Sequence, residues 1–97
     1  MSDVRLSESE IETIKRVVRQ FDPQAKIILF GSRTDLSKKG GDIDLLVISD
    51  KIDYNSRRNI KTELYLLLGD RKIDLIVTDN PDKQSFTKIA YKYGVEL

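Results

Sequence analysis

The stretch "LFGSRTDLSKKGGDIDLLV", residues 29–47, joins two apolar runs through a glycine-bearing loop. The first run, Lys26 to Phe30, is rich in branched and aromatic side chains. It lies between Pro23 and Gly31 and reads as a buried strand. Residues 31–41 form the loop, with Gly31, Gly40 and Gly41. Asp42 to Ile48 reads as a second strand, although it carries two acids in a setting that disfavours Asp. Side chains alternate along a strand, which removes part of that oddity. Ile43, Leu45 and Val47 share one face. Asp42 and Asp44 share the other, with Leu46 and Ile48 further along.

Outward from this stretch, Leu6-Ser7-x-x-Glu10-Ile11 reads as a helix start, with a capping box and a hydrophobic staple. Ile11, Ile14, Val17, Val18 and Phe21 follow at helical spacing. Asp22-Pro23 ends that helix, because the residue before proline avoids the helical region. Downstream, Asp53 or Asn55 caps a second helix. Ile60, Leu64, Leu67 and Leu68 form its apolar stripe and Gly69 stops it. Lys72 to Thr78 is a third strand. Asn80-Pro81 then supplies an N-cap and a first-turn proline for a third helix, with Phe86, Ile89, Ala90 and Tyr93 on one face and Gly94 at its end. The closing "VEL" offers a short edge strand. The order is α-β-β-α-β-α in a single domain, residues 1–97, undivided by any linker or low-complexity segment. It predicts an α/β (α+β) fold, a short mixed sheet with helices packed on one face.

"IDLLV" at 43–47 and "IDLIV" at 73–77 are too short to be a repeat, but they align two strands. One helix of suitable length links them, so they can lie side by side and parallel. Asp74 then emerges on the face of Asp42 and Asp44. Three carboxylates so close repel one another, and a divalent cation compensates them. Asp42 and Asp44 stand roughly 6–7 Å apart at the backbone. That lets them converge on one metal or bridge two about 3.5–4 Å apart, the clamp used for in-line displacement at phosphorus. Gly31 lets the backbone approach a phosphate closely. Ser32 offers it a hydroxyl and an N–H, and Arg33 offers charge to the leaving group.

Composition narrows the chemistry. The 97 residues are 39% hydrophobic and 34% charged, with net charge +1, so bulk charge implies neither nucleic acid nor an anionic membrane as partner. There is no cysteine and no histidine. Thiolate catalysis, disulfides and imidazole ligation are excluded, and any metal site is carboxylate-built, which suits Mg²⁺ or Mn²⁺. No apolar leader or membrane-length segment is present, so a cytoplasmic location is the default expectation. Lys38-Lys39 reads as a solvated loop tip. Arg57, Arg58 and Lys61 read as the wet face of the second helix, a basic cluster placed to contact a partner.

"GSR" at 31–33, "DID" at 42–44 and "KIDLIV" at 72–77 resemble the DNA polymerase beta-type nucleotidyltransferase superfamily, and more narrowly its minimal nucleotidyltransferases. Those are small single-domain proteins, often the antitoxin of a pair with a HEPN-domain toxin. The resemblance covers nearly the whole chain. It implies that Gly31 and Ser32 hold a nucleoside triphosphate, that Asp42 and Asp44 bind Mg²⁺, and that Asp74 completes the triad; Arg33 matches an often basic position. It also implies transfer of AMP from ATP, with two Mg²⁺ ions, to a hydroxyl of a HEPN toxin, a tyrosine in some members, within a type VII-like toxin–antitoxin pair. An alternative is a non-catalytic antitoxin that neutralises its partner by binding. A small-molecule transferase is disfavoured, because larger relatives add an acceptor domain that 97 residues do not accommodate. A homo-oligomer through apolar residues late in the second and third helices is a further expectation.

Overall fold

The computed structural model describes residues 6–31, 43–69 and 72–97. Helix α1 spans Glu8–Phe21. Ser7 caps it, its hydroxyl accepting from Glu10 N at 3.2 Å, while Glu10 Oε1 accepts from Ser7 N at 2.8 Å. Leu6 and Ile11 join the same core. Asp22 ends the helix in extended backbone, ahead of Pro23. Strands β1 (Lys26–Phe30) and β2 (Ile43–Ile48) are antiparallel neighbours. Helix α2 (Tyr54–Leu68) is capped by Asp53, which accepts from Ser56 N at 2.8 Å, and stops at Gly69, whose φ of 88° lies in a region glycine favours. Strand β3 (Ile73–Thr78) returns parallel to β2.

The pentapeptide likeness is a register. Ile43 faces Ile73, Asp44 faces Asp74, Leu45 faces Leu75 and Val47 faces Val77 across the parallel pair. The final strand β4 (Val95–Glu96) pairs antiparallel with β1, so the sheet runs β3-β2-β1-β4. The edge strand expected from "VEL" is therefore present.

The larger core lies on one face of the sheet. Ile27 and Leu29 of β1, Ile43, Leu45 and Val47 of β2, and Ile73 and Leu75 of β3 pack there with Ile14, Val17 and Val18 of α1 and Ile60 and Leu64 of α2. The stripe expected on α2 is narrower than its sequence suggests: Ile60 and Leu64 are buried, whereas Leu67 faces solvent with Tyr65 and Leu66.

Helices α1 and α2 cover the face expected to carry the helices, but the third helix, α3 (Ser85–Tyr93), takes the other. Its Ala90 packs with Ile28 and Leu46, and Phe30, Ile48 and Ile76 flank them. The reason lies in β1 and β2. Ile28 and Leu46 project away from the main core, and an uncovered apolar pair at the middle of the sheet must be shielded from water. The helix also starts later than Asn80-Pro81 suggests. Asn80 caps only a 3₁₀ turn, Pro81–Lys83, after which Gln84 is extended. The buried Thr87 hydroxyl ties turn to helix, donating to the Pro81 carbonyl at 2.6 Å with the Gln84 carbonyl 3.1 Å away. Seating Ala90 on the sheet and tying Thr87 to the preceding turn, rather than helix propensity in residues 81–84, fix where α3 begins.

Candidate active site

Three strands present one row of side chains on the face shared with α3. Phe30 of β1 faces Asp44 of β2, and Asp44 faces Asp74 of β3. Both carboxylates are half-buried. They line a cleft of about 350 Å³ with Phe30, Arg57, Lys61, Leu75, Ile76 and Phe86. The Phe30 and Phe86 rings meet edge-to-face at 5.6 Å, which closes one wall. Neighbouring strands lie about 4.8 Å apart, so in-register residues on one face are held side by side by the hydrogen-bond ladder itself.

Gly31 follows Phe30 and has φ of +75°, a conformation that side chains with a Cβ rarely adopt. A Cβ there would collide with Asp44 Oδ2. The glycine therefore does two things: it takes up the left-handed backbone at the end of β1, and it leaves the Asp44 carboxylate room.

Of the six residues expected at the site, the fold brings together Gly31, Asp44 and Asp74. Ser32, Arg33 and Asp42 lie outside the described residues, as do Lys38 and Lys39. Among the described residues no three carboxylates converge, so Asp44 and Asp74 form the acidic pair. The resemblance read from the sequence implies Mg²⁺ here, and the donor chemistry suits it. Two half-buried carboxylates in register supply hard oxygen ligands, and Gly31 removes the side chain that would crowd one of them.

Two site-lining residues read differently in sequence and structure. Arg57 and Lys61, four residues apart on α2, belong to the acidic cleft as well as to the wet face of the helix. Arg57 is half-buried; its Nη1 donates to the Leu75 carbonyl on β3 at 3.3 Å, and its guanidinium lies 5.1 Å from the Tyr54 ring centre. The i, i+4 spacing is the signal in the sequence. What the sequence lacks is the knowledge that α2 runs beside β3 at the edge of the sheet.

A model of the polymerase beta nucleotidyltransferase family matches residues 12–97, and the chain belongs to that family. No curated protein matches it. Among solved structures, the fold is similar to that of the toxin-antitoxin MntA-HepT, with TM-score 0.64 and 21% identity over 93% of this chain and 70% of that one. A mutant form of that toxin-antitoxin pair gives TM-score 0.64 and 25% identity, over 95% of this chain and 71% of that one. Among the described residues, no helix is long and apolar enough to cross a membrane.

Proposed function

We propose that this chain is a Mg²⁺-dependent nucleotidyltransferase that moves AMP from ATP to a hydroxyl, a tyrosine hydroxyl in the reading we favour, of a HEPN-domain toxin, and so acts as the antitoxin of a pair. The observation that carries the proposal is the in-register Asp44–Asp74 pair beside a glycine that no side chain can replace without a clash. Membership of the nucleotidyltransferase family and the likeness to toxin-antitoxin structures support it. A cytoplasmic site of action, where ATP and Mg²⁺ are available, goes with this reading.

In the mechanism, Asp42, Asp44 and Asp74 would hold the metal ions. When bound, these ions neutralise developing charge on the phosphates and lower the pKa of the attacking hydroxyl. Gly31 and Ser32 hold the triphosphate through backbone N–H groups and the serine hydroxyl, and Arg33 offsets charge on the leaving group. The acceptor oxygen bonds to the α-phosphorus as the bond from that phosphorus to the bridging oxygen breaks. Pyrophosphate leaves with the electron pair, and the hydroxyl proton passes to Asp74. The phenyl wall of Phe30 and Phe86 keeps water from one side of the cleft.

Co-expression with the toxin followed by intact-mass measurement tests this. The expected result is a gain of one or more AMP units on the toxin, absent with Asp44→Asn and with Asp74→Asn. A label that persists when both aspartates are asparagine would sink the mechanism. Neutralisation that survives the double substitution, with no label in the wild type, would show inhibition by binding instead.

A further inference from the structure

We propose that the basic rim at the β3 edge is the acceptor-docking surface of this site, and that it takes an acidic segment of the partner protein. This rests on the transfer reading above. Across the sheet the order is Gly31 at the end of β1, then Asp44, then Asp74, then Arg57 and Lys61 beyond the edge strand. Gly31 and the basic rim therefore stand at opposite ends of the row, with the two strand spacings from β1 to β3, roughly 10 Å, between Gly31 and Asp74 and the rim beyond. A donor nucleotide held at Gly31 leaves the far side of the carboxylates for the incoming hydroxyl.

That far side is positively charged and ready to bind. Arg58 and Lys61 are exposed, and with Arg57 and Tyr65 they line a second recess of about 360 Å³ that adjoins the acidic cleft. Among the described residues none forms an ion pair with Arg57, Arg58 or Lys61. The Arg57 guanidinium is already held by the Leu75 carbonyl and the Tyr54 ring. It therefore loses little freedom on meeting a carboxylate, and its fork suits bidentate pairing. Cations so placed beside two aspartates also keep a negatively charged acceptor from being repelled.

The rim is small, which favours a peptide over a polynucleotide. Arg57 to Lys61 spans about one helical turn, roughly 6 Å. Nucleic-acid surfaces spread positive charge across a face, whereas this chain has net charge +1 overall.

Fluorescence anisotropy on the full chain tests the surface without requiring turnover. The probes are a labelled peptide, Glu-Glu-Glu-Tyr-Glu-Glu, its lysine counterpart and a single-stranded oligonucleotide. The acidic peptide should bind best, and more weakly as salt rises. Arg57→Glu with Lys61→Glu should weaken it at least about tenfold. Because Arg57 also braces β3, Arg58→Glu with Lys61→Glu, both at exposed positions, should give the same direction of change in a chain with unaltered packing. Equal binding of the acidic and lysine peptides, or tightest binding of the oligonucleotide, would overturn the proposal. So would a loss of Mg²⁺-ATP affinity with peptide binding intact, which would assign the cations to the donor phosphates. The same variants scored for AMP transfer separate the two readings. Peptide binding without any transfer by the wild type defeats only the transferase proposal; transfer with no preference for acidic acceptors defeats only this one.

Discussion

At the scale of single residues, Gly31 and Asp44 constrain one another. Alanine at position 31 would strain the backbone at φ of +75° and drive a methyl group into the Asp44 carboxylate. The left-handed conformation alone costs about 1–2 kcal/mol in a residue with a Cβ. Gly31→Ala should therefore lower the thermal midpoint and also abolish AMP transfer, whereas Asp44→Asn should abolish transfer with the fold intact. Calorimetry paired with the intact-mass assay distinguishes the two. That Asp44 and Asp74 share a face is legible in sequence, since alternation and the paired "IDLLV" and "IDLIV" require it once the strands are neighbours. That Gly31 owes its place to the Asp44 side chain is not legible, because a glycine after a strand has the same pattern whether it turns, approaches a ligand or clears a carboxylate.

At the scale of elements, the end of α1 is tied to the end of β2 by a buried polar link. Asp22 accepts from the Ser49 hydroxyl at 2.6 Å and from Gln24 N at 3.0 Å, and Ser49 Oγ in turn accepts from Lys51 N and Ile52 N. The Ser49 hydroxyl, the Gln24 N–H and the charge of Lys51 hold the Asp22 carboxyl below the usual carboxylate range, against burial, which acts in the opposite direction. A carboxyl lowered in the folded state contributes stability that is complete above its unfolded pKa of about 3.9. That contribution fades as pH falls from there through the folded value. Ser49→Ala should cost about 1–3 kcal/mol at neutral pH, because it strands a buried carboxylate and two backbone N–H groups. It should also flatten the acid limb of stability. Urea midpoints between about pH 6 and about pH 2.5 for both forms check the sign; parallel limbs would show that Asp22 contributes nothing there. Asp22 reads in sequence as a helix stop before proline. Its bond to a residue 27 positions away depends on β2 returning beside it, which local pattern does not encode.

At the scale of the whole molecule, the sheet is buried on both faces at its centre and open at one end, where the acidic pair stands. Two like charges held in register oppose folding unless compensated, so a cation that binds the folded chain stabilises it. Mg²⁺ should raise the thermal midpoint of the wild type and leave that of Asp44→Asn with Asp74→Asn unmoved. A shift of equal size in both would remove the metal assignment. The same scale explains the exposed apolar side chains. Leu67 on α2, and Phe86, Ile89 and Tyr93 on α3, look like core in a helical-stripe reading, yet each is more than half exposed. A stripe records which residues share a side of a helix, but not how much of that side the neighbouring elements reach. On α3 only Thr87 and Ala90 are buried.

The sequence by itself determined the strands, the first two helices, their order and the side of the sheet on which Asp44 and Asp74 stand, because caps, periodicity of 3.6 and alternation of two act over a few neighbouring residues. The tertiary structure decided that α3 crosses to the acidic face, that Arg57 and Lys61 come to the carboxylates, and that Asp22 meets Ser49. Those placements follow from which uncovered apolar surface each element must bury and from which chain ends that burial brings together. They are contacts between residues far apart in sequence, where no local pattern specifies the outcome.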